Sequence, residues 1–172
     1  QPVVMICDPG SPAPDLTAAG FSFVETNTTT GCHEYIHDLA PAGGGTVPSN
    51  IEFVLLPSGT FQMGSPEEEP NRDAGNEGPV HDVSLDPFLM AKTAVTQAQY
   101  EAVMAGNTAG LSTTPNITNN PACTLCLGDD VPVGYVAWDD LDDADGFLAR
   151  TGLVLPTEAQ WEYAARGPGG AP

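Results

Sequence analysis

Two four-residue signals, Thr96-Gln97-Ala98-Gln99 and Thr157-Glu158-Ala159-Gln160, constrain this chain more than any other feature. In each, a Thr hydroxyl accepts from the backbone N–H three residues on, and the Gln side chain reaches back to the Thr N–H. That reciprocal capping box marks the start of a helix. The first helix puts Tyr100, Val103 and Met104 on one face and is stopped by Gly106. The second is expected to bury Trp161, Ala164 and Ala165, with Trp161 as the large core anchor. Glu162 and Arg166 are four residues apart on it, in the order that favours an ion pair. A third helix is predicted between these two, from about Asp139 to Arg150, with Leu141, Ala144 and Leu148 as its apolar stripe and Gly152 as its stop.

The remaining text is strand and loop. Residues 51–56 and 60–63 read as strands joined by the turn Pro57-Ser58-Gly59, followed by strands over 80–85 and 88–92. Residues 65–78 and 106–131 are polar or turn-rich and read as loops. The result is an α+β pattern over residues 51–172, the body of the chain. Residues 1–50 form a small β-rich N-terminal extension, rich in Pro, Gly, Thr and Ala and closed by the flexible joint Ala42-Gly43-Gly44-Gly45-Thr46-Val47-Pro48. Within it Phe21-Ser22-Phe23-Val24-Glu25 alternates like a strand and is expected to pair with Glu34-Tyr35-Ile36-His37-Asp38. Residues 3–7 are continuously apolar and call for burial on both faces, in a sheet of this chain or of a partner.

Composition narrows the function. The chain of 172 residues carries 23 acidic side chains against Arg72, Lys92, Arg150 and Arg166, a net charge of -19. That charge repels phosphate backbones and anionic lipid, arguing against nucleic-acid partners and membrane surfaces, and no apolar run reaches membrane-spanning length, so no membrane insertion is expected. Cys7, Cys32, Cys123 and Cys126 make an even count suited to two disulfides in an oxidising compartment, with three pairings open to four cysteines. The opening at Gln1 fits a processed precursor. Asn27-Thr28-Thr29 and Asn116-Ile117-Thr118 have the form of glycosylation acceptors. Together these point to an extracellular glycoprotein, secreted or cell-surface.

Three motifs invite metal chemistry. His33-Glu34-Tyr35-Ile36-His37 has the letters of a zinc-protease helix, which makes His33 and His37 the candidate metal ligands. The flanking Thr-rich stretch and Pro41 oppose a helix, and a hairpin strand is the better reading. Cys123-Thr124-Leu125-Cys126 suits a loop disulfide, with half a zinc site as its rival. The run Asp139-Asp140-Leu141-Asp142-Asp143-Ala144-Asp145-Gly146 fails as an EF-hand because Leu141 and Gly152 stand at ligand positions. It suits the acidic first turn of a helix, with weak calcium binding there or over residues 67–73 as the remaining cation expectation. No phosphate loop, nucleophile elbow or catalytic triad is present.

Five ordered blocks carry a resemblance: residues 53–64; Glu77-Gly78-Pro79-Val80-His81-Asp82-Val83-Ser84-Leu85; 88–100 with Lys92, Val95 and Thr96; Pro132-Val133 with Val136-Ala137-Trp138-Asp139; and 155–166. Together they resemble the formylglycine-generating-enzyme, or sulfatase-modifying-factor, family, with Gln97 standing where Asn is usual. The resemblance implies a C-type-lectin-like fold that is incomplete at its C-terminal end. Family members that oxidise a sulfatase cysteine use a copper-dependent cysteine pair late in the domain, and bind calcium mainly in that later half. Cys123 and Cys126 do not match that pair, so the resemblance brings no catalytic residue to this chain. Two readings follow. The chain is a secreted non-catalytic module for extracellular binding or self-assembly, as in a filament or surface layer, or it is a fragment of a copper-dependent oxidase whose catalytic cysteines lie beyond residue 172. In either, residues 1–50 are the expected contact for another copy or a complementing chain.

Overall fold

The computed structural model describes residues 7, 8, 10–39, 50–73 and 75–167. The apolar run over residues 3–7, apart from Cys7, and the Gly-rich joint lie outside these. Six strands are present: β1 (Phe21–Thr26), β2 (His33–Asp38), β3 (Asn50–Leu56), β4 (Gly59–Met63), β5 (His81–Leu85) and β6 (Phe88–Ala91). The helices are α1 (Gln97–Met104), α2 (Pro115–Asn119), α3 (Trp138–Asp142), α4 (Phe147–Thr151) and α5 (Glu158–Arg166). None of the described helices is long and apolar enough to cross a membrane.

A four-stranded antiparallel sheet in the order β1-β2-β3-β6 organises the molecule. β2 pairs with β3 as fully as with β1, so the two strands of the N-terminal extension belong to the same sheet as the body. Strands β3 and β4, adjacent across Pro57-Ser58, do not pair with each other. The chain instead leaves the sheet there, and β4 forms a separate ribbon with β5.

The alternation within β3 and β6 explains why two cores form. Ile51, Phe53 and Leu55, with Leu89 and Ala91, face a cluster completed by Tyr35, Leu39, Tyr100, Val103, Met104 and Phe147. Val54 and Leu56, with Phe88 and Met90, face the opposite way, onto Phe61 and Tyr163. Successive side chains on a strand point to opposite sides, so these two strands are covered by α1 and α4 on one face and by the ribbon and α5 on the other. Tyr100 stacks on Phe147, with centroids 5.4 Å apart, and Phe61 meets the Tyr163 ring edge-on at the same separation.

Three expectations need correction. Trp161 is not the core anchor; it is 64% exposed, whereas Tyr163 is fully buried. The two residues lie about 200° apart round the helix, so only one can face the ribbon. Tyr163 wins that place because its hydroxyl donates to the Pro57 carbonyl at 3.1 Å, and Ala165 turns outward with Trp161. The helix predicted over residues 139–150 is broken into α3 and α4, leaving Ala144 exposed. There the Asp145 N–H donates to Asp143 Oδ1 at 2.8 Å, a local side-chain bond that competes with the helical one. The segment 106–131, read as loop, contains α2 and a single 3-10 turn at Thr124–Cys126.

Candidate functional site

The two histidines of the H-E-x-x-H letters lie on β2, on the same face as Tyr35. Four residues along a strand separate them by roughly 13 Å, too far to share one metal ion. Each imidazole is engaged locally: His33 Nδ1 pairs with Thr26 Oγ1 at 2.9 Å, while His37 bridges the carbonyls of Gly20 and Thr151, both at 3.0 Å. His37 therefore ties the turn before β1 to the end of α4. Glu34, on the other face, is held by Lys92 at 2.7 Å and by Asn27 Nδ2 at 2.9 Å. Lys92 also reaches Glu52, so one cation links β2, β3 and the end of β6. These bonds hold the Glu34 carboxyl below its ordinary pKa, Lys92 first and Asn27 second, and raise Lys92.

All four cysteines are paired. Cys7 is joined to Cys32, and its N–H donates to the Thr30 carbonyl at 2.9 Å, pinning the incoming chain to the β1–β2 turn. Cys123 is joined to Cys126 across the 3-10 turn. The Cys126 carbonyl accepts from Gln97 Nε2 at 2.7 Å and from Asn116 Nδ2 at 3.3 Å. Gln97, the departure from the family's usual Asn, thus fastens the disulfide turn to the start of α1.

The glycosylation candidate Asn116 is 5% exposed, its Nδ2 is turned onto Cys126, and its Oδ1 accepts from the Gly134 N–H at 2.7 Å. Asn27 is half-buried and organises the β1–β2 turn, its Oδ1 accepting from the N–H groups of Thr29 and Thr30.

An open cleft of ≈ 500 Å³ runs along the outer side of α5, floored by Gly64 and bordered by Glu69, Glu77, Glu158, Trp161 and Ala165. Its floor is built with care. Glu162 Oε1 accepts from the Gly64 N–H at 2.9 Å, Arg166 donates to the Gly64 carbonyl at 3.1 Å, and the two side chains pair at 3.0 Å. Both backbone groups of one residue are thereby satisfied by the i,i+4 pair of α5. Gly64 has φ of 102°, and a Cβ there would lie 2.9 Å from the Glu77 carbonyl, so only glycine fits. The sequence marks Glu162 and Arg166 as an i,i+4 helical ion pair; their grip on Gly64 has no local signal, because it spans about a hundred residues.

Copper of the kind the resemblance implies requires available thiolates. No cysteine of this chain is free, so its residues do not fit that metal. Among the described residues no three His, Cys, Asp or Glu side chains converge as a metal site, and the acidic segment 139–146 is spent on the first turn of α3 and on the contacts of Asp145 with Thr108 and Arg150.

Residues 42–171 match the family model of the sulfatase-modifying factor enzyme 1-like domain. The formylglycine-generating enzyme of Thermomonospora curvata is 29% identical over 151 aligned residues, taking in 67% of this chain and 48% of that protein. The formylglycine-generating enzyme of Streptomyces coelicolor is 31% identical over 150, with shares of 66% and 46%. A protein of Bos taurus named inactive C-alpha-formylglycine-generating enzyme 2 is 27% identical over 154, with shares of 68% and 49%. The chain therefore spans about half the length of these curated relatives. No solved structure matches it. The family match covers most of the sequence and includes the capped helix α5 and the Gly64 turn it holds, and the chain belongs to the sulfatase-modifying factor enzyme 1-like family.

Proposed function

We propose that this chain is a non-catalytic scaffold, the N-terminal half of a C-type-lectin-like formylglycine-generating-enzyme-type domain, working in an extracellular, oxidising compartment. The observation that carries this reading is the state of its sulfur: four cysteines, two disulfides and no free thiol. Oxidising a substrate cysteine with copper needs thiolates that bind the metal, and this chain offers none while its bridges are closed. What it offers is a rigid double-cored platform with a cleft along α5. Any oxidase chemistry then belongs to the half of the relatives that this chain does not span. Thiol alkylation of the unreduced protein, with and without copper, tests the reading. No cysteine should be labelled and no copper retained on desalting. Labelling of Cys123 and Cys126 that copper blocks would overturn it.

A second reading, self-association, is favoured by one feature. Among the described residues β1 is an edge strand, and Phe23 and Val24 stand exposed on it. An open edge with apolar side chains is a template for pairing with another chain. Val24→Lys should suppress concentration-dependent sedimentation if this edge mediates assembly; unchanged sedimentation removes the edge from the account.

A further inference from the structure

The two disulfides are built differently. Cys7–Cys32 closes a sequence separation of 25, and Cys32 is 2% exposed. Cys123–Cys126 closes a separation of 3, and both of its cysteines are only half-buried. Thr124 and Leu125 between them are exposed, Leu125 by 93%. Neither cysteine of this second bridge belongs to either hydrophobic cluster. A short, accessible bridge outside the cores constrains the unfolded chain least and is the kind that thiol–disulfide exchange reaches.

The bridged segment also feeds the start of α1. The Thr96 cap takes the Gln99 N–H, which leaves those of Gln97 and Ala98 to be satisfied from outside the helix. The chain just after the bridge does this: the Gln97 N–H donates to the Val131 carbonyl at 2.8 Å, and the Ala98 N–H to the Asp129 carbonyl at 3.3 Å. The Gln97 side chain grips the Cys126 carbonyl itself at 2.7 Å, and Asn116 joins it at 3.3 Å. Helix α1 then carries Tyr100, Val103 and Met104 into the larger core.

We propose that Cys123–Cys126 is a reversible redox site, opened by a dithiol, and that its state is transmitted to the start of α1. One thiolate of the dithiol attacks a sulfur of the bridge; the S–S bond breaks, and the other cysteine leaves as a thiolate and takes up a proton. The second thiol of the dithiol then displaces the attacked cysteine and closes its own disulfide, so two electrons and two protons pass to the chain. A dithiol fits better than an anionic monothiol such as glutathione, because Asp129 and Asp130 follow the turn and the chain carries a net charge of -19. Opening frees the turn that fixes the shared acceptor of Gln97 and Asn116, while both cores stay packed. The exchange uses no oxygen or metal and forms no aldehyde, so it goes beyond the scaffold reading and does not depend on it.

Adding dithiothreitol to the native 172-residue chain, quenching with acid, alkylating and weighing the products reads the order of opening. Cys123 and Cys126 should be labelled together, several-fold faster than Cys7 and Cys32, with near-ultraviolet circular dichroism retained. Removing the dithiol in air should close the same pair. Opening of Cys7–Cys32 first or equally fast, or opening only as the circular dichroism collapses, overturns the proposal; an equal rate with glutathione at the same thiol concentration overturns the choice of reductant. Hydrogen exchange tests the link to α1. The reduced chain should exchange faster at the start of α1 and no faster in α5, and the double variant Cys123→Ser, Cys126→Ser should match it with or without dithiothreitol. If dithiothreitol loosens α1 further in the double variant, the effect comes through Cys7–Cys32 and the proposed link is wrong.

Discussion

Helices α1 and α5 begin with the same device and end in different surroundings. Each has a complete capping box, Thr96 with Gln99 and Thr157 with Gln160. In α1 the predicted face, Tyr100, Val103 and Met104, is wholly buried against β3 and α4. In α5 the predicted anchor points out, and Tyr163 carries the packing. A capping box reports where a helix starts, and apolar spacing reports which faces want cover. Neither says which face is covered by the same stretch of chain.

The largest effect expected from this contrast comes from deleting the two aromatics of α5. Tyr163→Ala should cost about 3–5 kcal/mol, the usual price of emptying a large core site. Trp161→Ala in the isolated chain should cost less than about 1 kcal/mol, as for an exposed position. Denaturant titration of both variants decides it, and a reversed order breaks the comparison.

The disulfides come next. Cys7–Cys32 closes a sequence separation of 25 and should contribute about 3.5 kcal/mol by chain entropy, against about 2 kcal/mol for Cys123–Cys126 with a separation of 3. Replacing each pair by Ser and measuring melting tests the ranking. Hydrogen exchange sharpens it: loss of Cys123–Cys126 should loosen the start of α1, through Gln97, and leave α5 protected.

The caps should then be equal. Thr96→Ala and Thr157→Ala each remove one side-chain bond to an N-terminal N–H, worth about 1 kcal/mol. If chemical denaturation shows one costing several times the other, the difference between the helices lies in initiation and not in packing.

The smallest effect belongs to the sheet and to neither helix. The Glu34 carboxyl titrates below its ordinary 4.5, chiefly because of Lys92. A depressed acid stabilises the fold above its unfolded pKa, and that contribution fades as pH falls through the folded value. Lys92 is raised from 10.5, so its contribution holds below that value and fades as pH rises through the folded one. Lys92 remains 35% exposed, which limits the pair to less than about 1 kcal/mol. NMR titration of Glu34 should give a midpoint below 4.5 in the native chain and an upward shift in Lys92→Met.

Local signals carried much of the fold. The strands at 51–56, 60–63 and 88–92 and both capped helices were legible because turn residues, alternation and capping chemistry act within a few positions. The β-hairpin reading of His33–Asp38 was legible for the same reason, since a Thr-rich flank and Pro41 oppose a helix. What could not be read is non-local. β3 and β4 part into different sheets at the turn where Tyr163 bonds Pro57, and Asn116 is buried in contact with Gly134 and Cys126, partners far off in sequence or across a loop. The break between α3 and α4 hides in a run of aspartates whose side chains bond their own backbone. Of the candidate site, the residues of α5 were visible and the Gly64 clamp was not.

The central claim, a scaffold that supplies no oxidative chemistry of its own, is tested most directly by incubating the unreduced 172-residue chain with a cysteine-containing sulfatase peptide, oxygen and copper, and following aldehyde formation by mass spectrometry. The account predicts no aldehyde above the copper-only control. Aldehyde that accumulates with turnover and disappears in Cys123→Ser would contradict it.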